Sequence, residues 1–179
     1  MTDAESPQAD PPSNVPPAAP REPPDHLVVY VDGACSGNPG PCGCAAVFKT
    51  PDGQTVLEKA RAFGPATNNV AEYQGVLLAL ETAALLRPRR LTIRSDSELM
   101  VRQLAGEYKV RSPGLKPLYQ QARRLLAPFE SVEIEHVPRT KNTEADALAS
   151  KALEKARSVD AKLPPEARRR PAKKTFRLK

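Results

Sequence analysis

Nothing in this sequence approaches the roughly 20 consecutive apolar residues that a helix needs to cross a bilayer, so a membrane-spanning protein is not expected. The start, Met1 to Asp25, has no basic opening and no apolar stretch after it, which argues against a secretory leader and for a cytoplasmic protein. Cysteine is scarce. Cys35, Cys42 and Cys44 are odd in number and lie within ten residues, so a disulfide framework is not expected. They also lack the CxxC-type pairs and the nearby fourth ligand of a zinc site. No internal repeat is visible. At 179 residues there is room for one ordinary domain with some tail.

What is present is unevenly spread. The formal net charge is +6, but residues 1–25 carry −4 and residues 155–179 carry +8, which leaves +2 for the stretch between. Residues 1–25 are acidic and studded with prolines, and such a segment buries too little apolar area to offset its ordering entropy. It is expected to be disordered. Residues 160–179 are basic and lack an apolar stripe, so a flexible tail is expected there. Such a tail is either a handle on phosphate backbones or simply a solvated end, and the sequence leaves both open. The folded domain is expected over residues 26–159.

Within it, Leu27–Val31 is a short β-branched run of the kind found at a sheet centre, ending at Asp32-Gly33. Strands are expected at Cys44–Lys49 and Gln54–Phe63, with Pro51-Asp52-Gly53 turning a hairpin between them. Thr67 or Asn68 caps a helix reaching about Leu86, with Val70, Tyr73, Leu77, Leu80 and Ala84 on one face, stopped by Pro88. A strand at Leu91–Ser95 and a helix at Ser97–Leu104 follow. Then come a helix at Pro113–Leu126, a strand at Ser131–Val137 and a last helix at Asn142–Arg157. A β-meander followed by strand–helix crossovers specifies an α/β fold, a mixed sheet with helices on its faces.

Four carboxylates are out of place on this plan. Asp32 and Asp96 each close an apolar strand, and parallel neighbours in a sheet lie under about 5 Å apart. Ligand sites in α/β sheets favour that edge. Glu72 and Asp146 border the apolar stripes of their helices. A single Asp at a strand end is an ordinary turn residue, and a single Glu near a helix start serves the dipole. Four acids turned inward together repel one another strongly enough to require a divalent cation. Periodicity carries the reading to a divalent-metal site and no further.

The motifs around these acids are more specific. Tyr30-Val-Asp32-Gly33-Ala-Cys-Ser-Gly37-Asn38-Pro39-Gly40-Pro41 resembles the opening motif of type 1 ribonucleases H. Thr67-Asn68-Asn69-Val-Ala-Glu72-Tyr73, Ser95-Asp96-Ser97 and Asn142-Thr-Glu-Ala-Asp146-Ala-Leu148-Ala149 resemble the three that follow, in order. The resemblance spans residues 27 to about 155. It implies a ribonuclease H-like fold: five strands in a mixed sheet, the first three antiparallel, flanked by helices. It implies endonucleolytic hydrolysis of the RNA strand of RNA–DNA hybrids, leaving 5′-phosphate and 3′-hydroxyl ends. It also implies two Mg2+ ions, with Mn2+ as a substitute, held by Asp32, Glu72, Asp96 and Asp146. Asn38, Asn68 and Asn69 match positions that read the hybrid in its minor groove, and Thr67 matches a contact to a DNA phosphate. Short amides suit a duplex recognised by shape and 2′-hydroxyls. The same residues also suit a plain turn and a helix cap, and both roles can hold at once.

Two departures from the family pattern stand out. Many members carry a His in a loop before the last Asp, whereas Pro138-Arg139-Thr140-Lys141-Asn142 has none. Arg139 and Lys141 are candidates to hold phosphate there instead, and His136 is expected to be a packed or surface strand residue. The stretch Gly106–Pro117 lacks the long basic handle of some members. Both features resemble a bacterial and archaeal subgroup. A 3′–5′ exonuclease on this fold would carry a second acid two residues after the first, and position 34 is Ala. A non-catalytic hybrid-binding module would have lost an acid. Double-stranded RNA stays open as a second substrate. A monomer is expected.

Overall fold

The computed structural model describes residues 24–162, so the expectations for the proline-rich start and the basic tail fall almost wholly outside the described residues. The elements follow the expected order: β1 (His26–Cys35), β2 (Gly40–Lys49), β3 (Thr55–Ala66), α1 (Asn68–Leu86), β4 (Arg90–Ser95), α2 (Glu98–Leu104), α3 (Lys116–Leu126), β5 (Ser131–His136) and α4 (Thr143–Lys162). A short 3-10 turn, Arg139–Lys141, precedes α4. The five strands form one sheet in the order β3-β2-β1-β4-β5, antiparallel across the first three and parallel between β1, β4 and β5.

Strand alternation sorts β1 onto two faces. Leu27, Val29 and Val31 point to the side where Cys44, Ala46 and Phe48 meet α1. Asp32 and its partner Ala45 point to the opposite side, towards α4. Two glycines set how closely the helices approach. A Cβ on Gly33 would lie 2.3 Å from the backbone carbon of Ala71, and one on Gly43 would lie 2.4 Å from the Leu153 nitrogen. Helices α1 and α4 therefore rest directly on strand backbone, one on each face.

Several boundaries differ from the sequence reading. Asp32 does not end its strand, because β1 continues three residues further to Cys35, and β2 begins at Gly40 rather than Cys44. The extra pairs are made by small residues of low strand propensity, held in extended form by the pairing itself. That longer ladder sets Cys35 opposite Cys42, and the two are joined in a disulfide, which the spacing did not foretell. Cys44 is a buried free thiol. Helix α1 buries more than a stripe. Ala71, Tyr73, Thr82, Ala83 and all of Gly75–Leu80 are buried, because α3 covers the side that the sheet leaves open. Ala84, expected on the inner face, is exposed. Helix α3 starts at Lys116, three residues after Pro113.

Candidate active site

The parallel register of β1 and β4 pairs Tyr30 with Arg94. Continued by two residues, the same offset sets Asp32 beside Asp96, just beyond the last residue of β4. Asp32 is buried, with 4% of its surface exposed. Glu72 arrives from the second turn of α1, which Gly33 allows to sit against β1. Asp146 arrives from the first turn of α4 on the other face. Two independent contacts fix the start of α4. Lys49 at the end of β2 donates to Glu144 over 2.7 Å, and the backbone N–H of Asp146 donates to the Asn142 carbonyl over 3.0 Å.

The acids feel one another. Burial raises the Asp32 carboxyl to about 7, and the charges of Asp96 and Asp146 push the same way, against the Gly33 N–H and Arg139. Glu72 rises to about 9, first through burial and then through the charges of Asp32, Asp96 and Asp146, with Arg139 opposing. Glu72 Oε2 is buried without a hydrogen-bond partner. Desolvation and like charge therefore act together on carboxylates brought in from two strands and two helices. The donor set is all oxygen and anionic, which suits a hard divalent cation. An orphaned, desolvated carboxylate oxygen among three other acids fits such an ion. As the side chains stand, no group of three or more acid, His or Cys side chains among the described residues is closed around a metal position. Asp146 is drawn to Arg139, whose Nη2 donates to Oδ1 over 2.7 Å.

The expected nucleic-acid residues fall into two groups. Asn38 Oδ1 accepts from the backbone N–H of Asn68 over 3.2 Å, and Thr67 Oγ1 accepts from that of Val70 over 3.4 Å. Both side chains thus serve the N-terminus of α1 while remaining on the surface, and Asn68 and Asn69 are exposed beside them. Asn68 and Asn69 lie one turn before Glu72 on α1, with Thr67 as its cap and Asn38 reaching in from the β1–β2 loop. Arg139 and Lys141 form the other group, exposed on the 3-10 turn at the Asp146 side. His136 is exposed at the end of β5, and His26 is bonded to Thr92, Nε2 to Oγ1 2.9 Å.

One residue was not singled out from the sequence although it stands in the fourth motif. Asn142 is 1% exposed, and its Nδ2 donates to the Val31 carbonyl over 3.0 Å and to Asp96 Oδ1 over 2.8 Å. Only its place at the head of the motif could have drawn attention to it.

A family model described as "Reverse transcriptase-like" matches residues 30–152, a span that includes all four acids. The bifunctional protein of Mycobacterium tuberculosis is 45% identical over 131 residues, which are 73% of this chain and 36% of that protein. The chain thus spans little more than a third of the length of these first mycobacterial relatives. The solved N-terminal RNase H domain of that protein, fused to maltose-binding protein, superposes with a TM-score of 0.72 at 41% identity, covering 75% of this chain and 97% of that one. RNase H1 of the archaeon Halobacterium salinarum gives 0.71 at 42% identity, covering 73% and 99%. LC11-RNase H1, solved in complex with an RNA/DNA hybrid, gives 0.69 at 36% identity, covering 73% and 98%. With identity and coverage at this level, the chain belongs to the type 1 ribonuclease H family.

Proposed function

We propose that the chain is an endonuclease that hydrolyses the RNA strand of RNA–DNA hybrids. What supports this reading is that Asp32, Glu72, Asp96 and Asp146 lie about the ends of β1 and β4, close enough for their charges to act. Burial and the charges of Asp96 and Asp146 raise both Asp32 and Glu72, and Asp32 raises Glu72 further. Those four side chains would hold two divalent ions, Mg2+ or in its place Mn2+, which supply an activated water and charge at the leaving 3′ oxygen. Products would be a 5′-phosphate and a 3′-hydroxyl. Family membership and the hybrid-bound structure of the LC11 relative support the choice of substrate.

The protein's own residues divide the remaining work. Asn38, Thr67, Asn68 and Asn69, clustered at the N-terminus of α1, would face the minor groove and the DNA strand, where short amides and the Thr67 hydroxyl reach 2′-hydroxyls and phosphate. Arg139 and Lys141 would meet phosphate on the Asp146 side, in place of a loop histidine. Arg139 would then exchange the Asp146 carboxylate for the substrate's anionic oxygens, two partners of the same chemistry. Residues 26–159 would act as a monomeric unit in the cytoplasm. Among the described residues no helix is long and apolar enough to cross a membrane.

A labelled RNA–DNA hybrid incubated with Mg2+ or Mn2+ tests the reading. Wild type cuts the RNA strand internally, and Asp32→Asn loses at least about two orders of magnitude in rate. Equal cutting by both proteins, or none by either, overturns it. Double-stranded RNA in the same assay decides whether the substrate range is wider.

A further inference from the structure

The buried amide of Asn142 links several parts of the site. Its two N–H groups go to the Val31 carbonyl, which immediately precedes Asp32, and to Asp96 Oδ1. Both partners are acceptors, so the orientation of the amide is unambiguous. Its backbone N–H donates to the Arg139 carbonyl over 3.0 Å, and its carbonyl accepts from Asp146. One residue is therefore hydrogen-bonded to β1, to the carboxylate after β4, to the turn that carries Arg139 and to the first turn of α4. The arrangement comes with an exposed contradiction: Asn142 Oδ1 is buried and has no partner. Leaving such an acceptor unpaired is unfavourable, so the amide is held there by what its other end does.

We propose that Asn142 is a positioning residue for the metal site, acting through Asp96. By donating to Oδ1 of Asp96 it restrains that carboxylate before any ion binds. A neutral donor does this without adding to the local charge, whereas a cation would compete with the ion to be bound. Fixing the ligand beforehand removes the ordering entropy that metal loading would otherwise have to overcome, and partners of this kind set metal affinity by about 10–100-fold. The inference rests on the metal-site reading above but concerns binding of the ion, not cleavage.

The test is calorimetric titration of the full chain with Mn2+ in the absence of nucleic acid. Four proteins are compared: wild type, Asn142→Ala, Asp96→Asn and the double variant, each first shown to be folded by circular dichroism at the titration temperature. Asn142→Ala is expected to weaken Mn2+ binding at least about 10-fold. In the Asp96→Asn background the same change is expected to cost less than about 2-fold, because the group through which it acts has been removed. Hybrid cleavage by Asn142→Ala should recover at saturating metal with KM for the hybrid unchanged, which a general loosening of the fold would not produce. Should the Ala variant unfold, Asn142→Ser, which keeps a donor hydroxyl, is titrated in its place and is expected to weaken Mn2+ binding relative to wild type but not in the Asp96→Asn background. Unchanged Mn2+ affinity, or an equal loss in both backgrounds, overturns the proposal. A wild type that binds Mn2+ with the expected coupling but cuts no hybrid would instead count against the nuclease reading alone.

Discussion

Asp32 and Glu72 are acids whose surroundings oppose their charge, and this has a consequence for stability. Each binds its proton more tightly in the folded protein than in the unfolded chain, with folded values of about 7 and about 9 against 3.8 and 4.5. Between roughly pH 4 and pH 9 the native state therefore holds more protons than the unfolded one, and stability falls as pH rises. The contribution is fully present below the unfolded values and is lost through the folded ones. Metal-free protein is accordingly expected to melt at progressively lower temperature from pH 5 to pH 9, by an amount worth a few kcal/mol. Asp32→Asn and Glu72→Gln should each flatten that slope and raise the melting temperature at pH 8 while abolishing cleavage. A flat profile for the wild type in chelator would rule out the mutual repulsion described above. The four acids were legible in the sequence because two stand at the ends of β-branched runs and two beside apolar stripes. Asn142 was not legible, since a polar residue before a helix reads as a cap until its side chain is seen bonded across 111 residues to Val31.

At the level of elements, the site depends on how closely the helices meet the sheet. Gly33 lets α1 rest on β1, and any Cβ there would fall 2.5 Å from the Glu72 nitrogen. Gly33→Ala is expected to destabilise the fold by about 1–3 kcal/mol, as overpacking does, and to shift Glu72 out of the acid cluster. Urea denaturation and Mn2+ titration check the two effects separately, and an alanine variant with wild-type values in both would refute this role for Gly33. The Cys35–Cys42 bridge ties the ends of the loop that holds Asn38. Closing a loop of this length stabilises by roughly 2–3 kcal/mol. Dithiothreitol should lower the melting temperature of the wild type and leave that of Cys42→Ser unmoved. If both proteins respond alike, the bridge contributes nothing. The expected element order was recovered because β-branched runs, Pro88 and the Pro51-Asp52-Gly53 turn act locally. The overlooked ends of β1 and β2 consist of Gly, Ala, Pro and Cys, whose extended form comes from pairing across the sheet and not from local preference.

For the whole molecule, charge and topology separate cleanly. Residues 163–179 carry seven Lys and Arg against Glu166 alone. If that segment grips phosphate, deleting it should weaken hybrid binding and reduce the slope of log affinity against log salt. An unchanged slope would leave it a solvated end. The sequence by itself determined the fold class and the order of the elements and singled out the four acids as candidates, because hydrophobic period, turn residues and motif spacing are all properties of short segments. Only the tertiary structure decided that Glu72 and Asp146 come from opposite faces of one sheet, that Cys35 pairs with Cys42, and that Asn142 holds Asp96. These depend on register between strands far apart in the chain and on the direct seating of helices over Gly33 and Gly43. Contacts of that kind are fixed by packing, which no local stretch of residues encodes alone.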